Sequence, residues 1–324
     1  MEHDSLVPHI LAIIALFFIA AISSIALRRI KIPYTIGLVV VGVFIAYLAK
    51  DVEALDIVRD IRLSHDVILY VLLPTLIFEA SISINSKLLF KNLIPILIFA
   101  IPGLLVSTLI VGTIMSVFTP LHLGTAILFG ALISATDPVS VVSLFKEIGA
   151  PKRLTILVDG ESLFNDAAAI VLFNIIVVGI VSQLTIDAEN VLYGTLYFLK
   201  VFFGGLAIGT IIGYAISWII RMSRNEPATN IALSTVLAYT SFIVAEYFFE
   251  VSGVMAVLAS GMLLSWQGLT HFTQETKMQL YYFWEYAAFV CNSFIFLLLG
   301  VAELQLILMI GEKDNILLYM AIAV

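Results

Sequence analysis

Long apolar runs alternate with short polar breaks along the whole chain. Runs of roughly 17–25 mainly apolar residues can cross a hydrocarbon core of about 30 Å as helix, with every backbone polar group satisfied internally. The pattern predicts about ten complete spans: Val7–Leu27, Tyr34–Leu48, Asp66–Ser83, Leu93–Phe118, Gly124–Phe145, Thr155–Val181, Leu192–Ile220, Ala228–Phe249, Ser252–Ser265 and Tyr281–Val301. The ninth is short and is read as reaching towards Leu269, and Glu303–Asp314 reads as a loop with a small apolar turn. The start of an eleventh span opens near Asn315, but the residues from there to Val324 are too few to cross a membrane, so the expectation is a fragment of a longer protein.

Composition agrees with the pattern. Hydrophobic residues make up 61% of the chain and charged residues 12%, with a mean hydropathy of +1.11, far from an ordinary soluble domain. The prediction is an all-α polytopic membrane protein over residues 1–324, with the lipid bilayer as its solvent and no soluble domain. Basic residues set the orientation. Arg28, Arg29, Lys31, Lys87, Lys91, Lys146, Lys152, Arg153, Arg221, Arg224 and Lys277 follow odd-numbered spans, whereas Lys50, Arg59, Arg62 and Lys313 follow even-numbered ones. That bias puts the odd loops in the cytoplasm and the N-terminus outside. The net charge of −7 comes largely from acids on outer loops and inside spans, so nucleic acid is not an expected partner. Met1-Glu2-His3-Asp4 lacks the basic start of a cleavable signal, so the first span is expected to be retained.

Cys291 stands alone, which excludes an internal disulfide and a cysteine metal cluster. His3, His9, His65, His122 and His271 all fall at span ends or in loops, so carboxylates must carry any proton relay at mid-membrane.

Two polar stretches interrupt the most apolar sequence: Ser134-Ala135-Thr136-Asp137-Pro138 and Asp159-Gly160-Glu161-Ser162-Leu163-Phe164-Asn165-Asp166. An ionised carboxylate at bilayer depth costs at least about 2.5–3.5 kcal/mol, so such residues usually face a cavity and do work. Asp137 falls near the middle of the fifth span. Pro138 has no N–H and its ring clashes with the Ser134 carbonyl, so the fifth helix is expected to break there, leaving open carbonyls beside a carboxylate. The structural alternative is a plain proline kink with a capping aspartate. In the sixth span, Ser162 and Asp166 share one face at i, i+4, and Glu161 and Asn165 share the adjacent stripe. Asp166 lies about 16 Å into the membrane from Thr155, so two spans offer carboxylates at one depth, with neutral oxygens from Thr136, Ser162 and Asn165. Hard monovalent cations prefer such oxygen ligands.

Other acids are weaker candidates. Glu79, near the inner end of the third span, could line an ion path or face the interface. Glu246 and Glu250 close the eighth span, while Glu285 and Asn292 read as interhelical hydrogen-bonders and Trp284 as an interfacial anchor. Small residues such as Gly205, Gly209 and Gly213, and Gly253 through Gly261, read as close-packing positions.

Ala135-Thr136-Asp137-Pro138-Val139, Gly160-Glu161-Ser162-Leu163-Phe164-Asn165-Asp166-Ala167, Ser252-Gly253-Val254-Met255-Ala256 and Asn292 through Gly300 resemble, in order, the landmarks of the monovalent cation:proton antiporter-1 family of Na⁺/H⁺ exchangers. The resemblance implies an inverted-repeat antiporter fold with a broken fifth helix, here missing the last two to three spans. It implies a secondary transporter rather than an enzyme, exchanging Na⁺, with Li⁺ or K⁺ left open, for H⁺ across a plasma membrane, as a homodimer and without a cofactor. Asp166 would then bind ion and proton, with Asp137, Ser162 and Thr136 completing the Na⁺ site. Glu161, Asn165, Pro138 and Glu79 would support it. The Asn165-Asp166 pair resembles the mostly electroneutral members, implying one Na⁺ per H⁺. The family's cation that pairs with the acid matching Glu161 stands on a span beyond Val324. Two rival readings are a passive cation channel using the same site and an intramembrane aspartyl protease; the latter lacks its Gly-x-Gly-Asp at both Asp137 and Asp166.

Overall fold

Each of the ten predicted runs carries a helix. A computed structural model describes residues 3–30, 33–48, 65–136, 141–142, 145, 148, 150–181, 188–222, 226–268 and 272–310, and among these all regular structure is helical. Among the described residues, five helices are long and apolar enough to cross a membrane: Leu93–Phe118, Lys152–Ile180, Leu192–Met222, Pro227–Phe248 and Gln274–Glu303. Shorter apolar helices cover Ile13–Leu27, Tyr34–Leu48, Ile68–Ser83, Leu123–Ile133 and Gly253–Gln267. Large apolar side chains such as Ile94 and Phe118 stand exposed, as expected of helices whose outer faces meet lipid rather than water.

The helices are named in order. α1 is His3–Ile30 and α2 is Tyr34–Leu48; a π turn, Ile68–Leu72, leads into α3, Leu73–Ser83. α4 is the short Ser86–Lys91, α5 is Leu93–Phe118, α6 is Leu123–Ile133 and α7 is Lys152–Val181. α8 is Ala188–Met222; α9, Pro227–Ile243, and α10, Gly253–Leu263, each run on into a π turn; α11 is Gln274–Ile310.

The sequence expectation fails at α11. Glu303–Ile310 is helix, where a loop was expected. Leu304, Gln305, Leu306, Leu308 and Met309 are strong helix formers, and no glycine or proline interrupts them before Gly311. The expected eleventh span near Asn315 lies outside the described residues.

The chain divides into two compact units, residues 1–72 with 285–324, and residues 73–284. In the first, Leu16, Ala20, Leu38, Ile45, Leu297 and Leu298 form a core shared by α1, α2 and the second half of α11. Tyr34 stacks on Phe289 at 5.3 Å, and its hydroxyl is 2.7 Å from Ser293 Oγ.

In the second unit α10 is the buried axis. Ten of its eleven residues are buried, which is why its sequence is apolar or small all round rather than amphipathic. α8 crosses α10 through Gly205, Gly209 and Gly213, where side chains would collide with the backbone of Ser252, Ala256 and Ser260. The predicted close-packing role of these glycines is what the structure shows. Trp284, expected at an interface, is instead 1% exposed; its Nε1 donates to Ser234 Oγ at 3.0 Å and its ring packs on Phe78 at 4.5 Å. The indole is buried because α9 supplies a partner for its one polar atom. α5 and α6 pack side by side, and α7 lies against both.

Candidate functional site

The site is built where α6 stops against α7. α6 ends at Ile133, with Ser134 as its C-cap and its N–H still bonded to Gly130 O. Ala135 and Thr136 are not helical. Two effects of Pro138 act on this stretch: a proline at i+4 rules out the helical bond to the Ser134 carbonyl, and the residue before a proline is steered out of α geometry. Asp137 and Pro138 themselves lie outside the described residues.

The carbonyls freed by the helix end are taken up by α7. Asn165 Nδ2 donates to Ser134 O at 3.2 Å, to Thr136 Oγ1 at 3.0 Å and to Glu161 Oε1 at 3.1 Å. Ser162 Oγ donates to Thr136 O in a short bond. Thr136 Oγ1 in turn lies 3.2 Å from Glu161 Oε2 and donates to it. Ser134 Oγ donates to Gly130 O at 2.6 Å and is 2.9 Å from Ser107 Oγ on α5.

Thr136, Glu161, Ser162 and Asn165 therefore meet. Ser162 is 4% exposed and Asn165 2% exposed, and both sit on the face of α7 that carries Glu161. Asp166, the next residue, is exposed. Successive helical residues are about 100° apart, so the turn that buries Asn165 carries Asp166 round to the edge of the packed face. Glu161, for which no partner could be read among the chain's cations, is satisfied by two neutral donors, Thr136 and Asn165. Glu79 accepts from Ser83 Oγ at 2.9 Å, one turn on along α3, and α3 packs chiefly on α10.

Sequence reasoning read the Ser134 carbonyl as freed by Pro138 but did not identify Asn165 as the donor that takes it up. The structure also holds an unspent acceptor. Asn165 Oδ1 is buried without a hydrogen-bond partner among the described residues, which carries a cost unless some donor or cation meets it. The site thus offers Thr136 O and Oγ1, Ser162 Oγ and Asn165 Oδ1 beside the Glu161 carboxylate, an oxygen-only set of the kind a hard cation takes.

Residues 13–324 match the family described as sodium/hydrogen exchanger, transmembrane. The chain belongs to that family. Among its relatives, the Na⁺/H⁺ antiporter ApNhaP of Aphanothece halophytica is 35% identical over 283 residues, 87% of this chain and 52% of that protein. The Na⁺/H⁺ antiporter NhaG of Bacillus atrophaeus is 37% identical over 306 residues, 93% of this chain and 57% of that protein. The chain therefore spans about half the length of the curated relatives it matches. In three dimensions it superimposes on the sodium proton antiporter MjNhaP1 of Methanocaldococcus jannaschii with a TM-score of 0.74 at 19% identity, over 90% of this chain and 70% of that one. The fold is the all-α antiporter fold of that protein, and the chain is a membrane protein.

Proposed function

We propose that the chain forms the ion-binding part of a secondary antiporter that exchanges Na⁺ for H⁺ across a plasma membrane, a transporter rather than an enzyme. The observation that carries this reading is the network in which Asn165 and Ser162 hold the residues just past the end of α6. It sets the non-helical backbone of Ser134 and Thr136 near the Glu161 carboxylate, the kind of helix end at which transporters bind ions. The names of the relatives ApNhaP and NhaG support Na⁺ and H⁺ as the exchanged pair.

In this mechanism Asp166 holds either a proton or a Na⁺, never both, and that exclusion couples the two fluxes. Asp137 shares the cation charge, while Ser162 Oγ and the Thr136 oxygens complete its shell. The loaded form moves between the two membrane faces and the bare charged form does not, which is alternating access. Glu161 and Asn165 act behind the ion by fixing the segment that ends α6, and Glu79 lines the approach. Residues 1–324 constitute part of an exchanger transmembrane domain that works as a homodimer with its N-terminus outside.

The test is Na⁺-driven proton flux in proteoliposomes of the full-length protein. Asp166→Asn abolishes it, with Asp166→Glu retaining part. Flux undiminished in Asp166→Asn refutes the assignment, and the same vesicles given Li⁺ or K⁺ establish which cations share the site.

A further inference from the structure

Away from the antiport site, the loop joining α3 to α4, the π turn after α10 and the start of α11 flank an open cleft of about 340 Å³. Its wall includes Ser83, Asn85, Lys87, Ser265, Lys277 and Tyr281, and no carboxylate is among the lining residues. Lys87 and Lys277 reach it from segments far apart in sequence, and among the described residues neither ammonium forms an ion pair or hydrogen bond. Two like charges lining one cleft repel each other and are relieved by a bound anion.

The wall is already braced without the lysines. Ser265 Oγ and Tyr281 OH both donate to Ile82 O at 3.3 Å, and Ser83 Oγ spends its proton on Glu79. Asn85 Oδ1 caps α4 by accepting from Leu88 N, which leaves the Asn85 amide N–H groups for a ligand. The donors on offer are thus two ammoniums and an amide, the set that receives a phosphate oxygen cluster. Beside the cavity, Phe90 and Trp266 pack with ring centroids 5.4 Å apart and are 40% and 42% exposed. An exposed aromatic pair next to a cationic pocket is the arrangement found at a headgroup layer, where rings meet acyl chains and cations meet phosphates. Both segments follow odd-numbered spans, the side that charge asymmetry assigns to the cytoplasmic leaflet with its anionic lipids.

We propose that the Lys87/Lys277 cavity is a phosphate-binding site at the membrane surface, suited to the phosphate of an anionic lipid headgroup. It is independent of the antiport mechanism, so failure of the Asp166 test leaves it standing.

The experiment measures thermal unfolding of the purified full-length protein in detergent, titrated separately with phosphatidylglycerol, phosphatidylcholine and inorganic phosphate. Phosphatidylglycerol raises the melting temperature and phosphatidylcholine does not. Near the surface each lysine contributes on the order of 1 kcal/mol to anionic-lipid attraction, so K87Q/K277Q weakens the apparent affinity roughly thirty-fold. K87R/K277R retains binding, which also reports that the pocket still forms. K91Q/K152Q, removing the same charge from exposed positions outside the cavity, leaves it unchanged. Stabilisation by phosphatidylglycerol alone identifies a lipid source, and an equal effect of inorganic phosphate identifies a free anion at the same site. No response to either ligand in the wild type, or equal weakening by K91Q/K152Q and K87Q/K277Q, overturns the proposal.

Discussion

Replacing Gly209 by alanine is expected to destabilise the protein more than any other single methyl addition along α8. A Cβ at Gly209 would stand 2.5 Å from Ala256 Cα and closer still to the Ala256 carbonyl oxygen, whereas ordinary contact begins at 3.4 Å. The obstruction is backbone, which cannot rotate aside, so α8 and α10 must part by at least about 0.9 Å, the difference of those two distances, and by more to clear the carbonyl oxygen. Overpacking of this kind costs about 1–3 kcal/mol, and rigid backbone argues for the upper end. Against it stands the better helix propensity of alanine, about 1 kcal/mol. The net is a loss of about 2 kcal/mol.

A control comes from the same chain: at Gly103 a Cβ meets nothing within 4 Å, so Gly103→Ala keeps the propensity gain alone. Gly213→Ala falls between, since its Cβ would lie 2.9 Å from Ser260 Cα. The assay is thermal denaturation of the purified variants in detergent, followed by tryptophan fluorescence. The expected order of melting temperatures is Gly103→Ala, then Gly213→Ala, then Gly209→Ala, with the first and last separated by about 3 kcal/mol. If Gly209→Ala melts as high as Gly103→Ala, α8 and α10 do not approach as closely as described, and the account of α10 as a buried axis fails with it.

Two further outcomes follow from the site and its surroundings. If a proton and Na⁺ compete for Asp166, the apparent KM for Na⁺ rises as pH falls, by at most about tenfold per pH unit for one-for-one proton linkage; initial rates of Na⁺ uptake from pH 6 to 8 measure it, and a KM flat across that range excludes simple competition. Trp284→Phe removes the donor to Ser234 while keeping most of the contact with Phe78, costing about 0.5–1.5 kcal/mol through the lost bond, since the Ser234 hydroxyl still donates to Ile231 O; an unchanged melting temperature would show that the indole N–H is not buried against α9.

Much of the candidate site was legible because a polar residue inside an apolar run is conspicuous. Thr136, Glu161, Ser162 and Asn165 were all visible as anomalies, and the i, i+4 spacing already joined Glu161 to Asn165, as their 3.1 Å bond bears out. The Ser134 carbonyl was visible as freed by Pro138, but its donor was not, because only the packing of α7 against the end of α6 brings Asn165 to it. Trp284 was misplaced for a related reason. Hydropathy sees a tryptophan at a span end and cannot see that α9 will supply Ser234 as a partner.

Spans and helical class were determined by the sequence alone, since in a bilayer each helix satisfies its own backbone and the apolar run needs no knowledge of its neighbours. Strong local chemistry near a helix end also leaves a signal: α6 ends at Ile133, one residue before Ser134, whose carbonyl can find no helical donor at Pro138. Which face of a helix is buried is a property of the pair of helices, not of either one. Rotation of α7 against the end of α6 decided that Ser162 and Asn165 are enclosed and Asp166 exposed. It also gave Glu161 neutral partners that no count of charges along the chain could have identified.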